Sequence, residues 1–317
     1  MRIPRRTRAR SSAMGIVGGP SIARLILSLL LCWAAIAGCE KKSGDRVPAA
    51  SGSAPLRPSA GGPPRLLPAV PSSSLPPAVV AAVGRPVEAV RVAGRGTTEL
   101  LGFRVSSAEA LAVWQKVHAV KEQSGSYPVV FAGEADLLHL PGEPHPDPAA
   151  LSPEATLRRA AGIHAGEWLR QRPGELGLEP PRDPAASGRP NDEFLLFDDI
   201  VTRRPREDLV LLLVPTTKAW EVPAYLAFGG WNDCPTDDIQ IAVQKRWFDS
   251  YGAELVAMDT ATMELRVARP PTTREAALAL ATEQFAYCYD IVDQGVGSLD
   301  ALAASLRNAH VWFFWWD

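Results

Sequence analysis

The stretch TDDIQIAVQKRWFDSYGAELVAMDTATMELRVA, residues 236–268, changes its period in the middle. Ile239, Val243, Trp247 and, at the edge of the stripe, Tyr251 recur at helical spacing, and Gly252 stands where a C-cap belongs. Residues 254–258 and 263–268 then read as strands. On the upstream side, Leu209–Val214 is a continuous apolar run of strand length. On the downstream side, Pro270 and Pro271 break the chain, and Thr272 or Thr273 caps a long helix expected to reach about Val292. A short helix over residues 298–307 leads into a terminal strand, residues 311–316. The order strand, helix, strand, strand, helices, strand predicts an α+β fold for residues 209–317. Its expected form is a ferredoxin-like split βαβ arrangement with helices covering one face of the sheet.

A smaller ββαβα part is expected over residues 79–208. Residues 87–92 and 100–105 alternate as two strands around Gly94-Arg95-Gly96, and Ser106 or Ser107 caps a helix over 108–122 with Leu111, Trp114, Val117 and His118 on one stripe. Residues 127–132 form a strand, and a second helix covers 153–170 with Pro153 in its first turn. The Pro-rich zones 141–153 and 173–190 read as long surface loops. A hairpin followed by a helix occurs at Ser106-Ser107-Ala108-Glu109 and again at Thr272-Thr273-Arg274-Glu275. A duplicated ββαβ unit and two independent units both fit this recurrence.

The chain has 317 residues, 46% hydrophobic and 21% charged, with 29 Pro and 4 Cys. That is globular composition with much proline. The net charge of −2 hides an asymmetry, because six Arg and no acid fall in the first 38 residues, leaving 27 basic against 35 acidic residues beyond them. Nucleic acid is disfavoured as a partner, since its binding rests on neutralising phosphates with Lys and Arg.

Residues 1–38 read as a secretory signal. A basic segment precedes an apolar run, residues 22–37, broken only by Arg24 and Ser28 and ending in Ile36-Ala37-Gly38-Cys39, a lipobox. The run uninterrupted by charge is too short for a comfortable membrane span. Cleavage before Cys39 would free its thiol for a diacylglyceryl thioether and its amine for an amide-linked acyl chain such as palmitate. Each buried methylene contributes ~0.8 kcal/mol, so two or three chains anchor permanently. Glu40, in place of the Asp usual for inner-membrane retention, favours the outer membrane if the source is diderm. Met14 offers a second start that leaves the lipobox intact. Residues 39–78 read as a disordered tether: residues 40–78 hold nine Pro, seven Ser, four Gly and no aromatic residue.

From Trp220 to Asp317 the chain resembles the family called domain of unknown function 4253. The residues that carry the resemblance are Gly229-Gly230-Trp231-Asn232-Asp233-Cys234-Pro235, then Trp247 with Tyr251-Gly252-Ala253-Glu254. Tyr287-Cys288-Tyr289-Asp290-Ile291-Val292-Asp293-Gln294-Gly295 and the terminal Trp312-Phe313-Phe314-Trp315-Trp316-Asp317 complete the set. Tyr289 departs from the family pattern, which has Pro after Cys. Residues 84–213 resemble the less regular N-terminal part of longer members. The resemblance implies a fold and candidate positions, and no reaction.

Several constellations bear on chemistry. Cys234, just before a helix N-terminus, is a candidate nucleophile with Asn232, Cys288 and Asp290 around it, although Asp237 and Asp238 in the first turn disfavour a thiolate. Cys234 and Cys288 are also the candidates for a disulfide in an oxidising compartment. Such a bridge would close a loop of about fifty residues and contribute ~4 kcal/mol if unstrained; two buried free thiols are the alternative. Glu283, Tyr287, Asp290 and Gln294 form a polar stripe expected to face solvent, with Cys288 on the core side. Aromatic residues on both faces of the terminal strand suit core packing, and Trp316 with Trp231 could alternatively stack a small ligand. The candidate ligand site comprises Trp231, Asn232, Cys234, Asp290, Trp316 and Asp317, the last bringing two carboxylates as the final residue. The five His lack metal-ligand spacing, and no phosphate loop, nucleophile elbow or HExxH pattern occurs, so neither a metal nor a cofactor is expected. The functional expectation is a lipid-anchored, non-catalytic envelope module that binds a protein or a small ligand. An envelope hydrolase or transferase using Cys234, and a purely structural envelope protein, are the alternatives.

Overall fold

The computed structural model describes residues 66–96, 98–139, 152–200 and 202–317. The expected signal, Cys39 and the tether as far as residue 65 lie outside the described residues, as does most of the first Pro-rich zone within the body. Among the described residues, eight strands form one sheet: β1 (Ala69–Val70), β2 (Ala89–Ala93), β3 (Glu99–Val105), β4 (Tyr127–Ala132), β5 (Leu209–Val214), β6 (Ala253–Met258), β7 (Thr262–Val267) and β8 (Val311–Trp315). Their order is β1-β2-β3-β5-β4-β6-β7-β8, antiparallel throughout except for the parallel pair β4 and β6. Seven helices matter here: α1 (Pro77–Val83), α2 (Ser107–Ala119), α3 (Pro153–Ala161), α4 (Ala165–Leu176), α5 (Asp237–Tyr251), α6 (Arg274–Tyr287) and α7 (Leu299–Leu306).

The α+β class is what the chain adopts, but the strand order differs from the ferredoxin-like one expected for residues 209–317. β5 pairs with β3 on one side and β4 on the other, so the boundary expected at residue 209 cuts through a single sheet. The cause is legible in β5 itself: all six residues are buried, and a strand apolar on both edges and faces belongs in the middle of a sheet. A split βαβ unit does occur, upstream of the expected place. β3 and β4 both run antiparallel to β5, hence parallel to one another, with α2 crossing between them. The ββαβα order of the N-terminal part is present, inside this common sheet. The second ββαβ unit is wired differently, since β8 pairs antiparallel with β7 directly. The two hairpin-helix units are therefore not topological copies.

Helices cover both faces of the sheet, not one. Arg266 of β7 lies over Trp114 of α2, 4.9 Å from the ring centroid. On the opposite face Trp312 and Phe314 of β8 meet Trp247 of α5 and, for Phe314, Tyr287 of α6. β4 and β6, like β5, are buried along their whole length and need cover on both sides.

Local signals are realised closely at several ends. Ser106 and Glu109 form the reciprocal capping box of α2. Thr273 Oγ1 accepts from the Ala276 amide at 3.2 Å, and Gly252 closes α5 at φ 62°. Three helices end earlier than expected: α2 stops at Ala119, α3 at Ala161 with α4 restarting beyond Gly162, and α6 at Tyr287. Residues 66–78 belong to the body and not to a tether. Leu67 and Leu75 are buried, β1 joins β2, and Glu134 Oε1 accepts the amides of Leu66 and Leu67 at 2.9 Å. Two leucines supply an apolar anchor in a stretch that is otherwise rich in Pro and Ser. The 173–190 zone likewise begins inside α4, which runs through Pro173. Beyond it the chain crosses the sheet, burying Leu195, Leu196 and Phe197.

Candidate functional site

The loop that precedes α5 is held in unusual backbone. Ala227, Gly229, Gly230 and Asn232 all have positive φ, at 51°, 106°, 84° and 44°. A Cβ at Gly229 would overlap the carbonyl oxygen of Pro235, so only glycine lets the two passes of the loop meet there. The Gly230 amide donates to the carbonyls of Cys234 (3.1 Å) and Pro235 (3.2 Å), and the Cys234 amide donates to Trp231 O at 3.0 Å. This closed turn places the Cys234 side chain inward and Asn232 outward.

Cys234 is 4% exposed and Cys288 1%, and both are free thiols. The disulfide considered from the sequence is absent, and each sulfur has its own partner. Gln240 Nε2 donates to Cys234 Sγ at 3.3 Å, and Cys288 Sγ donates to Trp315 O at 3.0 Å. Burial pushes the Cys234 thiol up, against the weaker opposing pull of Gln240 and the Gly230 amide, and burial pushes Cys288 up as well. Tyr287, also fully enclosed, donates its hydroxyl to Gln240 Oε1. Cys234, Gln240 and Tyr287 thus form a buried chain of neutral groups, with neither a histidine nor a carboxylate among the hydrogen-bond partners of the thiol.

The polar stripe expected to face solvent does not. Tyr287 packs edge-on against Trp247, and Asp290 is 5% exposed. Glu283 receives Trp247 Nε1 at 2.9 Å and Arg246 Nη2 at 2.6 Å. The stripe presumes a helix running to residue 292. That helix ends at Tyr287, and a π-helical turn over Ile291–Val296 follows, so the register of the later positions is reset. Cys288 lies on the core side as expected.

Of the candidate ligand residues, the fold gathers most in one region but turns half of them inward. Trp316 is buried, stacked on Phe314 and in edge contact with Phe228 and Tyr287, so its ring is enclosed by core aromatics and not open to a stacked ligand. Trp231, half-buried, meets Phe228 edge-on. Asp290 accepts from Gln294 Nε2 at 3.0 Å and from the Asp317 amide at 3.3 Å, and burial raises its pKa. Tyr289, the position that departs from the family pattern, donates its hydroxyl to Asp233 Oδ2 at 2.7 Å, which raises the phenol pKa. Asn232 and Asp317 are exposed. Among the described residues, no group of three or more His, Cys, Asp or Glu is placed to hold a metal ion.

The sequence reading missed a second cluster altogether. Arg182, Arg274 and Arg307 line two adjoining clefts beside α7, around the buried carboxylate of Asp300. Arg182 and Asp300 are 118 positions apart along the chain, and no local motif announces the cluster.

No match was found among curated proteins or among solved structures. Residues 210–317 match the family described as Domain of unknown function (DUF4253), a span that starts one residue into β5 and leaves β1 to β4 and α1 to α4 outside it. The aromatic terminal strand, the Gly-Gly-Trp-Asn loop and the Tyr-Cys turn all fall within the matched span, and the likeness of this chain to the DUF4253 family is confined to residues 210–317.

Proposed function

We propose that the chain is a non-catalytic binding module of the bacterial cell envelope, held to a membrane by lipid on Cys39. The observation that supports binding over catalysis is the setting of Cys234. A nucleophilic thiol needs access and a stabilised thiolate. Cys234 has 4% exposure, a pKa raised by burial, and Gln240 in the place of a base. The lipobox Ile36-Ala37-Gly38-Cys39 supports the membrane attachment, and Glu40 favours the outer membrane of a diderm cell.

Two measurements test this reading. Intact mass of the mature protein is expected to show a chain beginning at a modified Cys39, and Cys39→Ser is expected to move the protein from the membrane to the soluble fraction. Treatment of the native protein with a chloroacetamide probe is expected to leave Cys234 unlabelled until denaturant is added. Rapid labelling of Cys234 in the native state overturns the non-catalytic assignment in favour of a thiol enzyme.

A further inference from the structure

Residues 186–188 form a strap that crosses α7, with a cavity of about 210 Å³ on one side and one of about 400 Å³ on the other. Ala186, Ser187 and Gly188 line both, so the two cavities are halves of one groove. The strap lies on the helix backbone itself. A Cβ on Gly188 would stand 2.8 Å from the Ser305 amide and 3.0 Å from the Ala301 carbonyl.

Charge in the groove is unevenly paired. Asp300 takes Arg182 with both oxygens, at 2.8 and 3.2 Å, and also accepts the Asp183 amide at 3.0 Å. The Arg182 hydrogen bond, aided by that amide, holds the Asp300 carboxyl at about 2, so it is an anion with its partners already in place. Arg274 reaches Asp300 only at 3.5 Å and otherwise donates to Pro184 O at 3.1 Å, both from one nitrogen. Its remaining N–H groups have no hydrogen-bond partner among the described residues. Arg307, exposed at the end of α7, forms no ion pair among the described residues and lines the smaller cavity with Arg274 and Ser187. Three guanidinium groups therefore face a groove whose buried carboxylate is satisfied chiefly by one of them, with Asp183 at the rim of the larger cavity. Planar guanidinium pairs match tetrahedral phosphate oxygens, and the smaller cavity admits such a group with a short organic remainder.

We infer that this groove is a binding site for a phosphate monoester, with Arg274 and Arg307 as the anion clamp and Asp300 and Arg182 fixing the strap that forms one wall. The site is composite. Arg274, Asp300 and Arg307 come from the DUF4253 segment, whereas Arg182 and the strap come from the chain before it. The inference deepens the binding-module reading and rests on it, supplying the class of ligand. The phosphate source is either a free small molecule or the headgroup of an anionic lipid.

The test uses the full chain in detergent, titrated calorimetrically with inorganic phosphate at low ionic strength. Saturable binding is expected, weakened about tenfold or more in Arg307→Gln and in Arg274→Gln, since each removes a charge-assisted contact. Arg307→Gln is expected to unfold at the same temperature as the parent, because the side chain is exposed and has no ion-pair partner among the described residues. Arg204→Gln, an exposed arginine in another loop, is expected to bind phosphate as the parent does. Vesicles of phosphatidylcholine with and without phosphatidic acid separate the sources. Phosphate-competed capture on the acidic vesicles assigns the lipid headgroup, and phosphate binding without capture assigns a soluble ligand. Absence of saturable phosphate binding, or equal affinity in Arg307→Gln, Arg274→Gln and Arg204→Gln, overturns the site. Neither outcome touches the Cys39 and Cys234 measurements, which test the underlying reading on their own.

Discussion

The Glu264 carboxyl group, fully enclosed in the middle of β7, accepts the backbone amide of Leu195 at 2.6 Å, and its second oxygen accepts that of Leu196 at 3.1 Å. A strand side chain thus serves as the landing point for the long connection between α4 and β5, whose amides have no strand to pair with at this point. Burial pushes the Glu264 carboxyl up to about 8, and the two amides only partly offset it. The native state therefore holds a proton that the unfolded chain, titrating near the ordinary glutamate value, gives up. Stability from this group is fully present below about pH 4.5 and is lost as pH rises through about 8. Urea unfolding from pH 5 to 9 is expected to show the parent losing on the order of a few kcal/mol relative to Glu264→Gln. Parallel curves for the two proteins count against the raised pKa.

Glu254 on β6 is expected to behave in the opposite way. Burial raises its carboxyl, but the His118 contact at 3.0 Å and Arg266 at 2.6 Å outweigh that and hold it at about 2. A depressed native pKa stabilises above the unfolded value and is lost as pH falls towards 2. Glu254→Gln leaves the half-exposed Arg266 without its carboxylate partner and is expected to cost roughly 1–3 kcal/mol at neutral pH, because solvent reaches the guanidinium that remains. The gap between parent and variant should narrow as pH falls from 5 to 2. A gap that stays constant over that range would show that the loss is one of packing and not of charge.

The backbone of the Gly-Gly-Trp-Asn loop gives a prediction free of electrostatics. Gly229→Ala must place a methyl at φ 106° against Pro235 O, and is expected to lose roughly 1–3 kcal/mol or more. Gly174→Ala, inside α4 with open space at its Cβ, is expected to gain about 0.5–1 kcal/mol from helix propensity. Thermal unfolding of the pair measures both. Equal effects would show that the loop relaxes around an added Cβ.

What was legible in the sequence was local. Period 3.6 gave α5, a capping box gave the start of α2, and the alternating and continuous apolar runs gave seven of the strands near their final bounds. What was not legible depended on partners far along the chain. Nothing in Leu209–Val214 says that it enters between β3 and β4, although its burial on all sides required two neighbours. The stripe Glu283, Tyr287, Asp290 and Gln294 was extrapolated through a helix end, because no Pro or Gly marks the break at Cys288. The helical spacing puts Cys288 on the core side but leaves Cys234 open between a nucleophile, a disulfide partner and a buried thiol, and the hydrogen bonds of the two sulfurs to Gln240 and Trp315 come from tertiary contacts. The arginine groove was invisible for the same reason, since Arg182 and Asp300 meet only after the strap is laid across α7.

Trp247 joins the helices of the DUF4253 segment to its last strand, and its energetics can be separated into ring and hydrogen bond. The ring is fully buried, stacked on Phe314 at 5.4 Å with an 8° interplanar angle and edge-on to Trp312 and Tyr287. Its Nε1 donates to Glu283 Oε2 at 2.9 Å, which also ties α5 to α6. Trp247→Ala is expected to cost roughly 3–5 kcal/mol through the cavity it leaves. Trp247→Phe keeps an aromatic ring and should cost less, leaving Glu283 with Arg246 as its remaining partner. A double-mutant cycle of Trp247→Phe with Glu283→Ala, which removes the acceptor, followed by urea unfolding, is expected to give a coupling of about 1 kcal/mol, the usual net value of such a bond. Additivity within about 0.3–0.5 kcal/mol would place the whole contribution of Trp247 in aromatic packing. The polar end of the ring would then orient α6 without stabilising it.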